Sequence, residues 1–352
     1  MKEDEETGVD GSGAAAVKAQ QRTRPSSIDV ARLAGVSQSA VSRAFTEGAS
    51  VSKKTKEKVF EAARELGYKP SILPRILVTH RSQLVAVVIG GMYNPYYANL
   101  FELFTRRFQE NGYQVLVFFV DHNEYFDDAI PLIMRYRVDG IISALSLLSD
   151  DAADECAHMQ VPVVLFNGKR QNKWVSSICS DNVEGGRQIA TLLHSKGGKH
   201  FAYVTGKETL ANTDRQAGYI GRLRELGIEN VTIVEGDFHY DGGYLAADTL
   251  FSGDVRPDAI FCANDLMAIG VVECAREKYG LDTPKDFMIA GFDGAIFGGW
   301  PSYGLTSVRQ NAEAMVDGSF ELLNHYWQGD ETAEGALKLI PGELLERRST
   351  DR

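Results

Sequence analysis

Gln38, Ser39, Ser42 and Arg43 gather hydrogen-bonding side chains with little apolar bulk into one short stretch. Spaced this way they share one face of a helix. Such a face suits the DNA major groove, whose base edges offer both donors and acceptors, and Arg43 can donate two parallel bonds to guanine. Catalytic patterns are missing: the chain has no HExxH, no GxSxG elbow and no phosphate-binding lysine loop. Its histidines (His80, His122, His158, His194, His200, His239, His325) are scattered, and nothing marks a nucleophile or metal site beside Asp265 or Asp293. The chemistry favoured is recognition, not catalysis, and no cofactor or metal is expected.

Two short helices joined by a tight turn must present that face. Residues 27–44, SIDVARLAGVSQSAVSRA, read as such a pair. Ser27 and Ser37 are placed as N-caps, each with a hydroxyl that can accept from a free N–H of the turn that follows. Gly35 between them can take the left-handed conformation that a sharp turn needs. Ala31 lies under Val41, so the helices can cross closely, as in a helix-turn-helix. An ordinary helical hairpin shares these features, and the next segment adds weight. Ser52 caps a third helix, Lys53–Leu66, with Val59, Phe60, Ala63 and Leu66 as its apolar stripe. Lys53, Lys54, Lys56 and Lys58 load its other face with the charge that phosphate contacts require.

Charge is unevenly distributed. The 352 residues carry a net charge of −11, yet residues 22–81 alone carry +7 and residues 82–352 carry −15. The basic part coincides with the helix-turn-helix, so DNA contact is confined to that end. A composition of 44% hydrophobic and 24% charged residues is that of a soluble globular protein, with no apolar run long enough to span a membrane. Residues 1–24 are acidic at the start, then rich in Gly and Ala, and read as a disordered tail without a secretory signal; a cytoplasmic location is expected. Cys156, Cys179, Cys262 and Cys274 are dispersed and read as reduced, buried residues.

DVARLAGVSQSAVSRAF, VSKKTKEKV and LGYKP together resemble the DNA-binding headpiece of the LacI/GalR family of bacterial transcriptional regulators. The resemblance implies a headpiece over residues 25–69 and a hinge over 70–83, a short helix that folds against the minor groove. It places Leu77 as the wedge between base pairs, with Arg75 beside it. Ser71 and Pro74 stand where the family usually has Asn and Ala. With Ser71 as N-cap, Pro74 falls in the first turn, where a missing N–H breaks no helical bond. A proline-stiffened linker is the alternative.

From Leu84 onward, short apolar runs alternate with helical stretches. Strands are expected at 84–89, 113–120, 140–143 and 161–166, then at 201–205, 231–236, 259–263 and 288–292, with helices such as 97–109, 183–194 and 211–226 between them. Two such series predict two doubly wound parallel-sheet subdomains within residues 84–352, with crossovers near 181, 304 and 332. NPYY, VDGIIS, SDNVEGG, RQAGY, ANDLMAIG, GFDG, LTSVRQ and ERRST stand in the order of the family's periplasmic-binding-protein-like effector domain, which this region resembles. The fold class is therefore α/β with a small all-α domain.

By that resemblance a small effector lies in the cleft, lined by Tyr93, Asn94, Asn167, Arg215, Phe238, Asn264, Asp293 and Gln310. The mixture suits a sugar or sugar derivative: Asp and Asn chelate vicinal hydroxyls, Arg donates paired bonds, and aromatic faces stack on C–H surfaces. Asn167, where the family often has Asp, together with Arg215 suits an acidic sugar. Asp293 and Asn264 could also serve only as turn caps. The resemblance implies an effector-controlled repressor, acting as a homodimer on a pseudo-palindromic operator, with Gln38, Ser39 and Arg43 at base edges. A sugar-binding protein without DNA regulation and a transcriptional activator are the alternatives.

Overall fold

The computed structural model describes residues 25–46, 48–69, 81–90, 92–120, 126–144, 149–169, 172–330 and 335–352. The tail at 1–24 and most of the hinge, including Arg75 and Leu77, lie outside the described residues. Two compact units, within residues 1–78 and 79–352, each have their own core.

In the first unit, α1 (Ser27–Ala34), α2 (Gln38–Phe45) and α3 (Lys53–Leu66) close around Val30, Ala31, Val41, Ala44, Val59, Ala62 and Ala63. The N-cap of α1 is Ser26, not Ser27. Ser26 and Asp29 form a reciprocal capping box, which leaves Ser27 as the first helical residue with its hydroxyl free for another bond. Ser37 and Ser52 do cap α2 and α3. Gly35, at φ 64°, ends α1 in the left-handed conformation. Phe60 is displaced from the expected stripe: it is 37% exposed and packs edge-on against Phe45, while Ala62 takes the buried position.

The second unit starts with β1 (Leu84–Ile89), α4 (Pro95–Glu110), β2 (Gln114–Phe119), α5 (Phe126–Met134), β3 (Gly140–Ser143), α6 (Asp150–His158), β4 (Val163–Phe166) and β5 (Val175–Ser180). It continues with α7 (Asn182–Ser195), β6 (Phe201–Thr205), α8 (Leu210–Glu225), β7 (Val231–Glu235), α9 (Tyr240–Ser252), β8 (Ala259–Cys262), α10 (Asp265–Tyr279) and β9 (Met288–Asp293). β10 (Thr306–Arg309), α11 (Ala312–Gln328), β11 (Leu337–Ile340) and β12 (Glu343–Leu345) complete it.

One sheet is ordered β11-β5-β4-β3-β1-β2 and runs parallel throughout; the other is ordered β12-β10-β9-β8-β6-β7 and is parallel up to antiparallel β12. Strand alternation explains the double cover. Val85, Val87 and Ile89 of β1 turn towards α4 and α11, whereas Ala86 and Val88 turn towards α5 and α6. The four cysteines are buried, as their dispersed, apolar settings predict.

The chain passes between sheets after β5, between β10 and α11, and between β11 and β12. The first passage matches the expected crossover near 181. The others fall near 310 and 341, not near 304 and 332, because Thr306–Arg309 pairs with β9 and holds the chain in the second sheet, and Leu337–Ile340 pairs with β5 and holds it in the first.

Candidate ligand cavity and candidate nucleic-acid interface

In the first unit the turn chemistry aims α2 outward. Ser37 accepts from the Ala40 N–H at 3.3 Å, and Ala40, Val41 and Ala44 bury the inner face. Gln38, Ser39, Ser42 and Arg43 are thereby left exposed on the outer face. Gln38 Nε2 donates to Ser27 Oγ at 3.0 Å, and Ser39 Oγ meets Ser37 Oγ at 2.9 Å, so two of the outward side chains are steadied by serines. Arg43 forms no ion pair among the described residues. Lys53 and Lys54 are exposed in the first turn of α3.

In the second unit a cavity of about 170 Å³ lies between the two sheets. Asp293, at the end of β9 with φ 111°, is its centre. Asn94 caps α4 by accepting from the Tyr96 N–H and also donates through Nδ2 to Asp293 Oδ2 at 2.9 Å. Gln310, just before α11, donates to Asp293 Oδ1 at 2.7 Å and accepts from the Tyr96 hydroxyl at 3.3 Å. Burial pushes the Asp293 carboxyl above its ordinary range, against the opposing pull of Arg215, Asn94 and Gln310.

Arg215 is 4% exposed and held on three sides. Nε donates to Asn182 Oδ1 at 2.8 Å, Nη1 donates to the Ala263 carbonyl at 2.6 Å, and the guanidinium lies 3.8 Å over the Phe292 ring. Asp293 stands 3.7 Å away as its counter-charge. Asn264 caps α10 and donates to the Phe238 carbonyl at 2.9 Å, so it is both a cap and a wall of the cavity. Asn167 and Phe238 sit at φ 62° and 69°. Three lining residues thus hold left-handed backbone, strain of the kind that collects at ligand sites. Tyr93, from the first sheet's side, stacks on His239 from the second, with ring centroids 3.8 Å apart.

All eight residues expected in the cleft line this one cavity. Sequence reasoning did not single out Tyr96, Tyr97, Lys207 and Thr209, which line it too. Burial drives the Tyr97 hydroxyl up to about 12 and that of Tyr96 well above its usual value, so both are neutral donors. Behind the cavity, Asp265 is fully buried and accepts from Ser307 Oγ and the Ala295 N–H, both at 2.6 Å. No His, Cys, Asp or Glu cluster fit for a metal ion occurs among the described residues. The arrangement offers hydrogen-bond donors, acceptors and aromatic faces to a small polar molecule between the two sheets.

The comparisons with known proteins agree with this geometry. Residues 28–71 match the family described as bacterial regulatory proteins, lacI family, and residues 190–350 match a periplasmic binding protein-like domain. Catabolite control protein A of Priestia megaterium is 31% identical over 329 residues, covering 92% of this chain and 98% of its own. A lac repressor dimer bound to operator and the anti-inducer ONPF superposes with a TM-score of 0.84 at 25% identity, covering 93% of this chain and 99% of that one. A complex of the transcriptional regulator CelR with cellobiose superposes with a TM-score of 0.69 at 29% identity, covering 93% and 100%. A helix-turn-helix unit followed by a two-sheet ligand-binding unit defines a DNA-binding transcriptional regulator, not an enzyme. The chain belongs to the lacI family of bacterial regulatory proteins. Among the described residues no helix is long and apolar enough to cross a membrane.

Proposed function

We propose that this regulator is a repressor whose operator affinity is set by a sugar or sugar derivative bound around Asp293. The observation that carries the reading is the convergence of Asn94, Gln310 and Arg215 on a single buried carboxylate, in a cavity that Asn264, Tyr93 and Phe238 also line. Vicinal hydroxyls need such a combination of paired acceptors and donors beside aromatic faces. The CelR structure with cellobiose supports the ligand class. Lys207 and Arg215 outnumber Asp293 among the charged lining residues, so sugar acids belong with neutral sugars in any test.

The protein acts as a homodimer that sets two α2 helices in successive major grooves of a pseudo-palindromic operator, as the lac repressor dimer on operator supports. Gln38, Ser39 and Arg43 read base edges, while Ser27, Ser37, Ser42, Lys53 and Lys54 serve the backbone. Arg75 and Leu77 act in the minor groove between the two half-sites. Selection of genomic DNA fragments by the purified protein, with and without a panel of sugars and sugar acids, tests the whole reading. A palindromic motif lost with one compound is the expected result. A motif strengthened by a compound would make that ligand a corepressor, and the absence of any enriched motif would overturn the proposal.

A further inference from the structure

We infer that α4 and α11 form a two-helix lever between the cavity and the strand that enters the second unit, with Trp327 and Asp139 as the positioning residues at its far end. The inference rests on the reading of the cavity as the effector site. At the near end, one carboxylate serves both helices. Asp293 accepts from Asn94, the N-cap of α4, and from Gln310, the residue before Asn311, which caps α11. A negative charge at two helix N-termini is favoured by their dipoles, and it comes from the opposite sheet. Any ligand that competes for Asp293 therefore changes what holds both helices at once.

Along their length the helices are joined to each other. Arg107 of α4 pairs with Asp317 of α11 at 2.9 Å and lies 5.0 Å over the Phe320 ring, while Phe108 meets Phe320 edge-on at 5.3 Å. Sixteen and seventeen residues make rods of about 25 Å. Close-packed side chains transmit a displacement over that distance without absorbing it.

The far end is fastened to the chain's point of entry. Tyr113, just beyond α4, stacks on Trp327 of α11 with centroids 4.2 Å apart and rings 14° from parallel. Trp327 Nε1 donates to the Asp139 carbonyl at 2.7 Å, and the Trp327 carbonyl accepts from the Arg81 guanidinium. The Asp139 carboxylate accepts from the Ser82 and Gln83 N–H groups, each at 2.9 Å. Residues 81–83 are thus gripped by groups that answer to the two helices, and the sequence before them leads back to the headpiece. A ligand at Asp293 acts on the cleft, and the two helices carry that action to residues 81–83.

Amide hydrogen exchange on the full-length protein, without DNA or added ligand, tests this. Gln310→Leu removes the side-chain bond between the start of α11 and the Asp293 carboxylate and should speed exchange of the Ser82 and Gln83 amides by about fivefold, the equivalent of one lost hydrogen bond. Trp327→Phe keeps the stacked ring but loses the bond to Asp139; it should speed the same amides while leaving exchange around Tyr96 and Tyr97 unchanged. Asn264→Ser alters the cavity wall on the side that carries neither helix, and should leave residues 82 and 83 unaffected. Unchanged exchange in Gln310→Leu, or an equal change in Asn264→Ser, overturns the lever. The sugar panel on operator DNA separates the two readings: a sugar response with no exchange effect sinks the lever alone, whereas an exchange effect with no response to any compound supports the lever and sinks the effector reading.

Discussion

Asn182 Oδ1 and Arg215 Nε meet at 2.8 Å because α7 and α8 touch backbone to backbone. A Cβ at Gly186 would stand 2.3 Å from the Arg215 carbonyl, and one at Gly218 would stand 2.0 Å from the Val183 carbonyl. The same device joins α9 to α10 at Gly243 and Gly270. Glycine costs each helix about 1 kcal/mol relative to alanine, so the close approach must be worth more than that.

Gly218→Ala should therefore destabilise the protein despite its better helix propensity. The obstacle is a backbone carbonyl, which cannot rotate away, and overpacking of this kind costs about 1–3 kcal/mol. Thermal unfolding should show a lower midpoint, and Arg215 should lose its hold on Asn182. A midpoint at or above that of the parent chain would contradict the close-contact reading.

Arg43→Ala should remove about 1–3 kcal/mol of discrimination between operator and random DNA, while weak salt-dependent binding survives. Lys53→Ala should instead weaken binding to all sequences alike and reduce the salt slope by about one. Competition binding at several salt concentrations distinguishes the two. Unchanged selectivity in the Arg43 variant would mean that this side chain, exposed and without an ion pair among the described residues, does not reach a base.

Much of this was readable from sequence, and the failures have physical causes. β1, β3 and β6 were legible end to end because buried parallel strands are runs of branched and aromatic residues. β5, VSSICS, and β10, TSVR, escaped because Ser176, Ser177, Thr306 and Ser307 look like surface residues, yet all four are fully buried. Ser307 is matched by Asp265, and Thr306 by Thr350, so long-range bonds replace apolar character. Ser26 carried a signal that would have found it: Asp29 stands three residues on, the capping-box spacing that Ser27 lacks. Tyr96 and Tyr97 sat inside a noted motif, but whether a side chain at the start of α4 faces the cavity depends on the other sheet, which local spacing does not encode.

Asp293→Ala should raise the effector concentration needed for half-maximal response by at least tenfold or so, since hydrogen bonds to a charged group contribute roughly 1.5–3 kcal/mol each. The substitution also leaves Asn94 Nδ2 and Gln310 Nε2 without their acceptor and Arg215 without its counter-charge. Titrating operator binding with the compound found in the DNA selection measures the shift. An unaltered response would move the effector site away from this cavity.

Stability should fall as pH rises from about 4 to about 8, and Asp265 should be the main reason. Burial, reinforced by the neighbouring charge of Asp293, raises its carboxyl to about 8 even though Ser307 and the Ala295 N–H favour the ionised form. The unfolded chain releases the same proton near the ordinary value of about 4. Between these values the folded state binds more protons than the unfolded state, so each step upward in pH favours unfolding, and the effect levels off above about 8. Asp265→Asn mimics the protonated acid: its amide can donate to Ser307 Oγ while its oxygen accepts from Ala295. Melting curves between about pH 5 and 9 should be flatter in this variant, with a residual slope from Asp293, whose carboxyl burial also raises. A slope as steep as in the parent chain would show that Asp265 is ionised in the fold at all these pH values, with Ser307 and Ala295 outweighing its burial.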